Sequence, residues 1–92
     1  MEDEAIIALF WKRDQEAIRQ TDLQYGRRLQ RLSRSILNDE EDAKESVNDT
    51  YWKAWDTIPP QKPNYFFAYL AKICRYLSLG RLDWNRAQKR SA

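Results

Sequence analysis

Histidine is absent from this chain. That removes imidazole-based catalytic dyads and the commonest zinc ligand. Cysteine occurs once, at Cys74, so no internal disulfide can form. There is neither a signal peptide nor an apolar run long enough to span a bilayer, so a reducing, cytoplasmic setting without membrane contact is expected. Glycine occurs twice and proline three times, which leaves few breakpoints, and strand-like alternation of apolar and polar residues does not stand out. These absences leave one class: a single all-α domain over residues 1–92, a compact bundle of about four helices. A chain this short has a modest core and a small stability margin.

Four tryptophans, Trp11, Trp52, Trp55 and Trp84, argue for a globular rather than a disordered chain. Net charge is only +2, but it is unevenly divided. Residues 1–58 hold nine Lys/Arg and thirteen Asp/Glu, whereas residues 59–92 hold seven Lys/Arg and the single acid Asp83. An acidic body with a basic C-terminal third points to two partner surfaces of opposite sign, or to charges that only solvate helices.

The periodicity predicts a first helix from about Asp3 to Lys12 with Ala5, Ile6, Leu9 and Phe10 on one face. Asp14 is placed to cap a second helix running to about Leu37, with Tyr25, Leu29, Leu32 and Ile36 on its apolar seam. Arg27, Arg28, Arg31 and Arg34 fall largely off that seam, and Gly26 interrupts it at about 1 kcal/mol relative to Ala. Asn38 or Asp39 caps a third helix; with Asn38 as the cap, Glu41 would complete a near capping box. Its buried stripe is Ala43, Val47, Tyr51, Ala54, Trp55 and Ile58. Pro59 and Pro60 end it, because a residue before proline avoids the α region. A short, stiff loop to Pro63 follows, and Asn64 caps a fourth helix from about Tyr65 to Lys89. Phe66, Leu70, Ile73, Cys74, Leu77 and Trp84 share one half of that helix, with Phe66 and Trp84 expected in the core. Lys72, Arg75, Arg86, Lys89 and Arg90 cluster opposite, with Tyr69 and Tyr76 at the border.

Three features could carry function. Asp42, Glu45 and Asp49 share a face of the third helix. They lack a histidine and a second acidic helix, so they read as a solvated face or a docking surface, and no metal or cofactor is expected. Trp52 points away from Tyr51 and Trp55, so it either marks an interface or packs beneath the first or second helix. The basic stripe of the fourth helix, with its neighbouring tyrosines, suits a nucleic acid strand, phosphates taking Lys/Arg and unstacked bases taking aromatic faces. No nucleophile–base pair is visible, so no enzyme is expected.

The order of these features resembles region 2 of bacterial sigma factors, most closely the extracytoplasmic-function group. The residues that carry it run from Ile36-Leu37-Asn38-Asp39-Glu40-Glu41-Asp42-Ala43 through Val47-Asn48-Asp49-Thr50-Tyr51 to Ala54-Trp55. The next helix, Phe66-Phe67-Ala68-Tyr69-Leu70-Ala71-Lys72-Ile73-Cys74-Arg75-Tyr76, matches the family's F-x-A-W-L-x-x-I-A-R-N opening. Asp14-Gln15-Glu16-Ala17 and Tyr25 to Leu37 look like its upstream helix. The resemblance implies docking of the second and third helices on the clamp helices of the largest subunit of core RNA polymerase, with Glu45, Asn48, Asp49, Trp52 and Lys53 facing that partner. It implies recognition of the promoter −10 element through the loop residues Gln61, Lys62 and Asn64, which would hold a flipped base. Tyr69, Lys72, Arg75, Tyr76, Arg86 and Lys89 would continue that DNA contact, and an anti-sigma factor is a possible further partner. The chain departs from the pattern at Tyr76, where the family has Asn, and at Gly80, where it has an acid. The −35-reading helix-turn-helix domain of the family is absent from this chain. The alternative is a sigma-like interaction or regulatory module that binds polymerase or an anti-sigma factor without reading DNA.

Overall fold

Helices make up about four-fifths of the computed structural model, which describes the backbone of residues 1–91 and the side chains of residues 1–89. The order is α1 (Asp3–Trp11), α2 (Glu16–Leu37), α3 (Glu40–Thr57) and α4 (Phe66–Ser91), with no strand among the described residues. The chain is therefore all-α, with four helices. The side chain of Arg90 lies outside the described residues.

The boundaries follow local chemistry. Asp14 accepts a hydrogen bond on Oδ1 from the Glu16 amide at 2.9 Å, satisfying one of the orphan donors at the start of α2. At the other end of α2, Asn38 sits in the left-handed region (φ 53°) and donates its amide to the Arg34 carbonyl at 2.8 Å. That conformation is tolerated by asparagine better than by most residues. The expectation that Asn38 could cap α3 is thus corrected: Asn38 ends α2, and extended Asp39 caps α3 by accepting from the Asp42 amide at 2.9 Å. A two-residue connection forces α2 and α3 to run antiparallel. Ile58 turns extended ahead of Pro59 and ends α3. Asn64 makes no capping hydrogen bond with the described residues; the first α4 bond runs from the Tyr69 amide to the Tyr65 carbonyl at 3.0 Å.

α2, α3 and α4 each pack on the other two, and α1 closes the end where α3 stops and α4 starts. Phe10 reaches across that end, its ring 6.3 Å from Trp55 and 6.0 Å from Phe66 between centroids. Ile6, Ile7 and Phe10 are the buried face of α1, while Ala5 is exposed, contrary to the sequence expectation. Leu29, Val47, Tyr51, Ala54, Leu70 and Cys74 fill the middle of the bundle. Small residues let the helices approach there. Ser33 and Ser78 meet at 2.8 Å in the buried α2–α4 contact, and each satisfies the other. Gly26 does not break α2; the helix runs through it without interruption.

The 26 residues of α4 span about 39 Å at 1.5 Å each, which accounts for most of the 46 Å long axis. The buried stripe of α4 steps by four, through Phe66, Leu70, Cys74 and Ser78, so it drifts about 40° per step and, by Arg81 and Asn85, which both bond to Asp42, has moved off the side that carries Trp84. Trp84 therefore stands 57% exposed rather than in the core, although it shares a helical half with buried Phe66.

Candidate functional site

The outward face of α3 gathers one set of residues. At 100° per residue, Glu45, Asn48, Asp49, Trp52, Lys53 and Asp56 fall within a band of about 140° opposite the buried stripe. All six are exposed. Trp52 is 55% exposed, which decides between its two sequence readings: it does not pack beneath α1 or α2. Asn48, Asp49 and Trp52 make no hydrogen bond, ion pair or ring contact with other described residues, nor does the Lys53 ammonium. Glu45 is partly engaged, its Oε2 lying 3.4 Å from Arg81 Nη1.

Asp42 drops out of the acidic face. Its Oδ1 accepts from Arg81 Nη2 at 2.9 Å and its Oδ2 from Asn85 Nδ2 at 2.9 Å. Arg81 also stacks near the Trp84 ring, 5.4 Å from its centroid. This cluster ties the far part of α4 to the first turn of α3, where a carboxylate is also favoured by the helix dipole.

A second set meets in a groove of about 500 Å3 between the end of α3 and α4. Gln61, Tyr69, Lys72 and Tyr76 line it together with Lys53, over a floor of Ile73 and Leu77. The loop and α4 thus bring four expected DNA-contacting residues together, with one from the docking set at the shared edge. The two tyrosines differ. Thr57 Oγ1 donates to the Lys53 carbonyl at 2.9 Å, so the 2.6 Å contact between Thr57 and Tyr69 is a hydrogen bond donated by the Tyr69 hydroxyl. Tyr69 also packs against the core and is held in place, with its ring only partly accessible. Tyr76 is 77% exposed and unengaged by the described residues, so it is the aromatic face that the groove offers.

Arg75 and Arg86 are exposed and fall within about 60° of Lys72 on the helical wheel, continuing the basic stripe along α4. Lys89 lies on the flank of that stripe. Arg86 and Lys89 border a separate depression with Asn38 and Asp39 at the α2–α3 turn. Lys62 and Asn64 are also elsewhere: they face α1 across a hollow lined by Trp11, Asp3 and Lys12. Gln61, Lys62 and Asn64 are therefore divided between two sides of the loop and do not form one pocket.

Arg13 was not legible as a site residue. It follows α1 in the left-handed region, φ 58°, a conformation costing about 1–2 kcal/mol. Its Nη1 donates to the carbonyls of Trp55 at 2.8 Å and Ile58 at 3.0 Å, and its guanidinium lies 3.8 Å from the Trp55 ring centroid. α3 has no basic residue in its own last turn. Arg13 supplies that cation from another part of the chain, satisfying end carbonyls and the negative end of the dipole. The missing cation in the last turn of α3 was the available signal.

Burial pushes the Cys74 thiol up from its ordinary range, so it is a poor nucleophile at neutral pH. Burial, followed by the neighbouring Asp22 carboxylate, raises the Tyr51 hydroxyl well above the usual tyrosine range, so it stays a proton donor. No helix among the described residues is long and apolar enough to cross a membrane. Comparison with protein-family models, with curated proteins and with solved structures gave no significant match.

Proposed function

We propose that this chain is a sigma-region-2-like module that docks on core RNA polymerase and binds the promoter −10 element to support transcription initiation. The observation that carries the reading is the α3/α4 groove, which brings Gln61, Lys72 and exposed Tyr76 together beside the outward face of α3. In this division of labour, Asn48, Asp49, Trp52 and Lys53 meet the clamp helices of the largest subunit. The non-template strand then lies along α4. Lys72, Arg75 and Arg86 take phosphates, and Tyr76 takes an unstacked base at about 1–3 kcal/mol.

One observation favours a second reading, an interaction or regulatory module that binds polymerase or an anti-sigma factor without reading DNA. Tyr69 is tied to Thr57, so the groove keeps a single free aromatic face.

Two measurements separate these readings. Binding of a −10-like single strand, followed by fluorescence anisotropy, should weaken with salt by about 0.7 on log axes per phosphate contact. Tyr76→Ala and Lys72→Glu should each weaken it. Pull-down of core polymerase should weaken with Asp49→Lys and Trp52→Ala but not with Tyr76→Ala. Polymerase binding without salt-dependent DNA binding assigns the second reading; loss of neither activity in these variants removes both.

A further inference from the structure

A groove of about 940 Å3 runs between α2 and α3, on the opposite flank of α3 from the proposed DNA groove. Apart from Asn48 at its rim, none of its lining residues belongs to the polymerase-facing or DNA-contacting sets of the proposed function. Its walls carry Arg27, Arg28, Arg31 and Arg34 from α2 and Lys44 from α3, against the two carboxylates Asp22 and Glu40.

The carboxylates are already engaged. Asp22 Oδ1 accepts from the Tyr51 hydroxyl at 2.7 Å, and Glu40 Oε1 accepts from Arg34 Nε at 3.0 Å. Arg34 is neutralised by that pair, and Arg28 lies 3.8 Å from the Phe67 ring centroid. Arg27, Arg31 and Lys44 are different. They are exposed and have no hydrogen bond, ion pair or ring contact with the other described residues. Arg27 and Arg31 are one turn apart, a like-charge spacing that costs an isolated helix a few tenths of a kcal/mol. One turn before Arg27 stands Leu23, 66% exposed on the same ridge. Buried Val47 and half-buried Gly26 contribute the apolar floor beside it.

We propose that this groove is a docking site for an acidic amphipathic helix of a partner protein. The cations need carboxylates; exposed Leu23 needs an apolar side chain. A helix with leucines on one seam and glutamates beside it supplies both, laid as an added helix along α2 and α3. A nucleic acid would answer the cations alone. It leaves Leu23 uncovered, and no aromatic side chain lines this groove for a base to stack on. The charge is also opposite to that of the outward α3 strip, so one partner does not satisfy both faces with a single sign of charge.

The test uses the full chain and a synthetic amphipathic helix of about five turns, with leucines at i, i+3/i+4 spacing flanked by glutamates. Its counterpart carries glutamine in place of every glutamate. Titration followed by fluorescence anisotropy should give saturable binding of the glutamate helix, weakened at least about tenfold, or about 1.4 kcal/mol, for the glutamine helix. Arg27→Glu combined with Arg31→Glu should weaken it similarly, and Leu23→Ser should weaken it independently. None of these side chains makes a bond to the described residues, so unchanged circular dichroism is expected for each variant. Lys72→Glu with Arg75→Glu, on the other flank, should leave this binding unchanged. Absence of saturable binding, equal affinity for both helices, or indifference to the α2 variants overturns the proposal. Loss of DNA-oligonucleotide binding in the Arg27/Arg31 variant overturns it in favour of a nucleic acid ligand.

Discussion

Replacing Gly26 by alanine should test how α2 and α3 are joined. Glycine inside a helix costs about 1 kcal/mol relative to alanine, so Gly26→Ala on an isolated helix would be stabilising. Here the added Cβ would lie 2.5 Å from Asp22 Oδ1 and 3.4 Å from the Tyr51 hydroxyl. The Asp22 carboxylate is the end of an exposed, flexible side chain, so it swings away rather than forcing the backbone apart. In doing so it gives up the 2.7 Å hydrogen bond from Tyr51, whose side chain is 4% exposed and keeps no other hydrogen-bond partner among the described residues. A hydrogen bond to a charged group contributes about 1.5–3 kcal/mol, less here because the released carboxylate rehydrates; about 1–2 kcal/mol is reasonable. The two effects nearly cancel, so Gly26→Ala should be neutral to about 1 kcal/mol destabilising. In a Tyr51→Phe background there is no hydrogen bond to lose, and the same substitution should stabilise by up to about 1 kcal/mol. The cycle should therefore give a coupling of about 1–2 kcal/mol between positions 26 and 51. Urea unfolding with an unchanged m-value measures it. Equal effects of Gly26→Ala in both backgrounds would refute the reasoning, because the carboxylate would then not be held where the glycine admits it.

Arg13→Ala should destabilise by about 1–2 kcal/mol, since it removes hydrogen bonds to the Trp55 and Ile58 carbonyls at the end of α3; urea unfolding checks it, and a loss under about 0.3 kcal/mol would deny the capping role. Tyr25 donates to Asp3 at 2.6 Å, and burial followed by that bond raises its hydroxyl to about 12. A raised folded pKa contributes stability that is fully present below the ordinary tyrosine value of about 10 and is lost as pH rises from there through about 12. The stability gap between the native chain and a Tyr25→Phe variant, followed by urea unfolding, should therefore shrink across that window. A methyl group added at Gly80 would meet nothing within 4 Å, so Gly80→Ala should raise stability by about 1 kcal/mol, read as a higher melting temperature.

Much of the helix plan was legible because each boundary has a local cause. Asp14, Asp39 and Pro59 act within three residues of the ends they set, and the α3 stripe from Ala43 to Ile58 follows from a 3.6-residue period alone. Asn38 was ambiguous because asparagine serves both an N-cap and a left-handed C-cap, and only the backbone conformation decides between them. Trp84 departs from its expected place for a different reason: half of a helical wheel is wider than the buried stripe, and the stripe, stepping by four from Phe66 to Ser78, drifts away from Trp84. The candidate site was legible only in part. Lys72, Arg75 and Tyr76 share a face that the period reveals. The bond that restrains Tyr69, the removal of Asp42 by Arg81 and Asn85, and the capping by Arg13 join residues 12 to 45 positions apart. No local pattern encodes such pairings.

The same pairings bear on how the outward face of α3 would hold a partner. With Asp42 committed to α4, the strip retains Glu45, Asp49 and Asp56 against Lys53, and Glu45 is partly compensated by Arg81 at 3.4 Å. These are exposed charges, and an exposed ion pair contributes about 0–1 kcal/mol, falling with salt. Trp52 is a large apolar surface standing in water at the middle of that strip, and a buried tryptophan at an interface centre contributes about 2 kcal/mol or more. In the proposed polymerase contact, then, charge sets orientation and Trp52 supplies most of the energy. Trp52→Ala should weaken polymerase binding at least about thirtyfold at any salt concentration, and Asp49→Lys by less as salt rises. A tryptophan variant that binds normally while the Asp49 variant fails at low salt would mean that the contact is electrostatic and does not centre on Trp52.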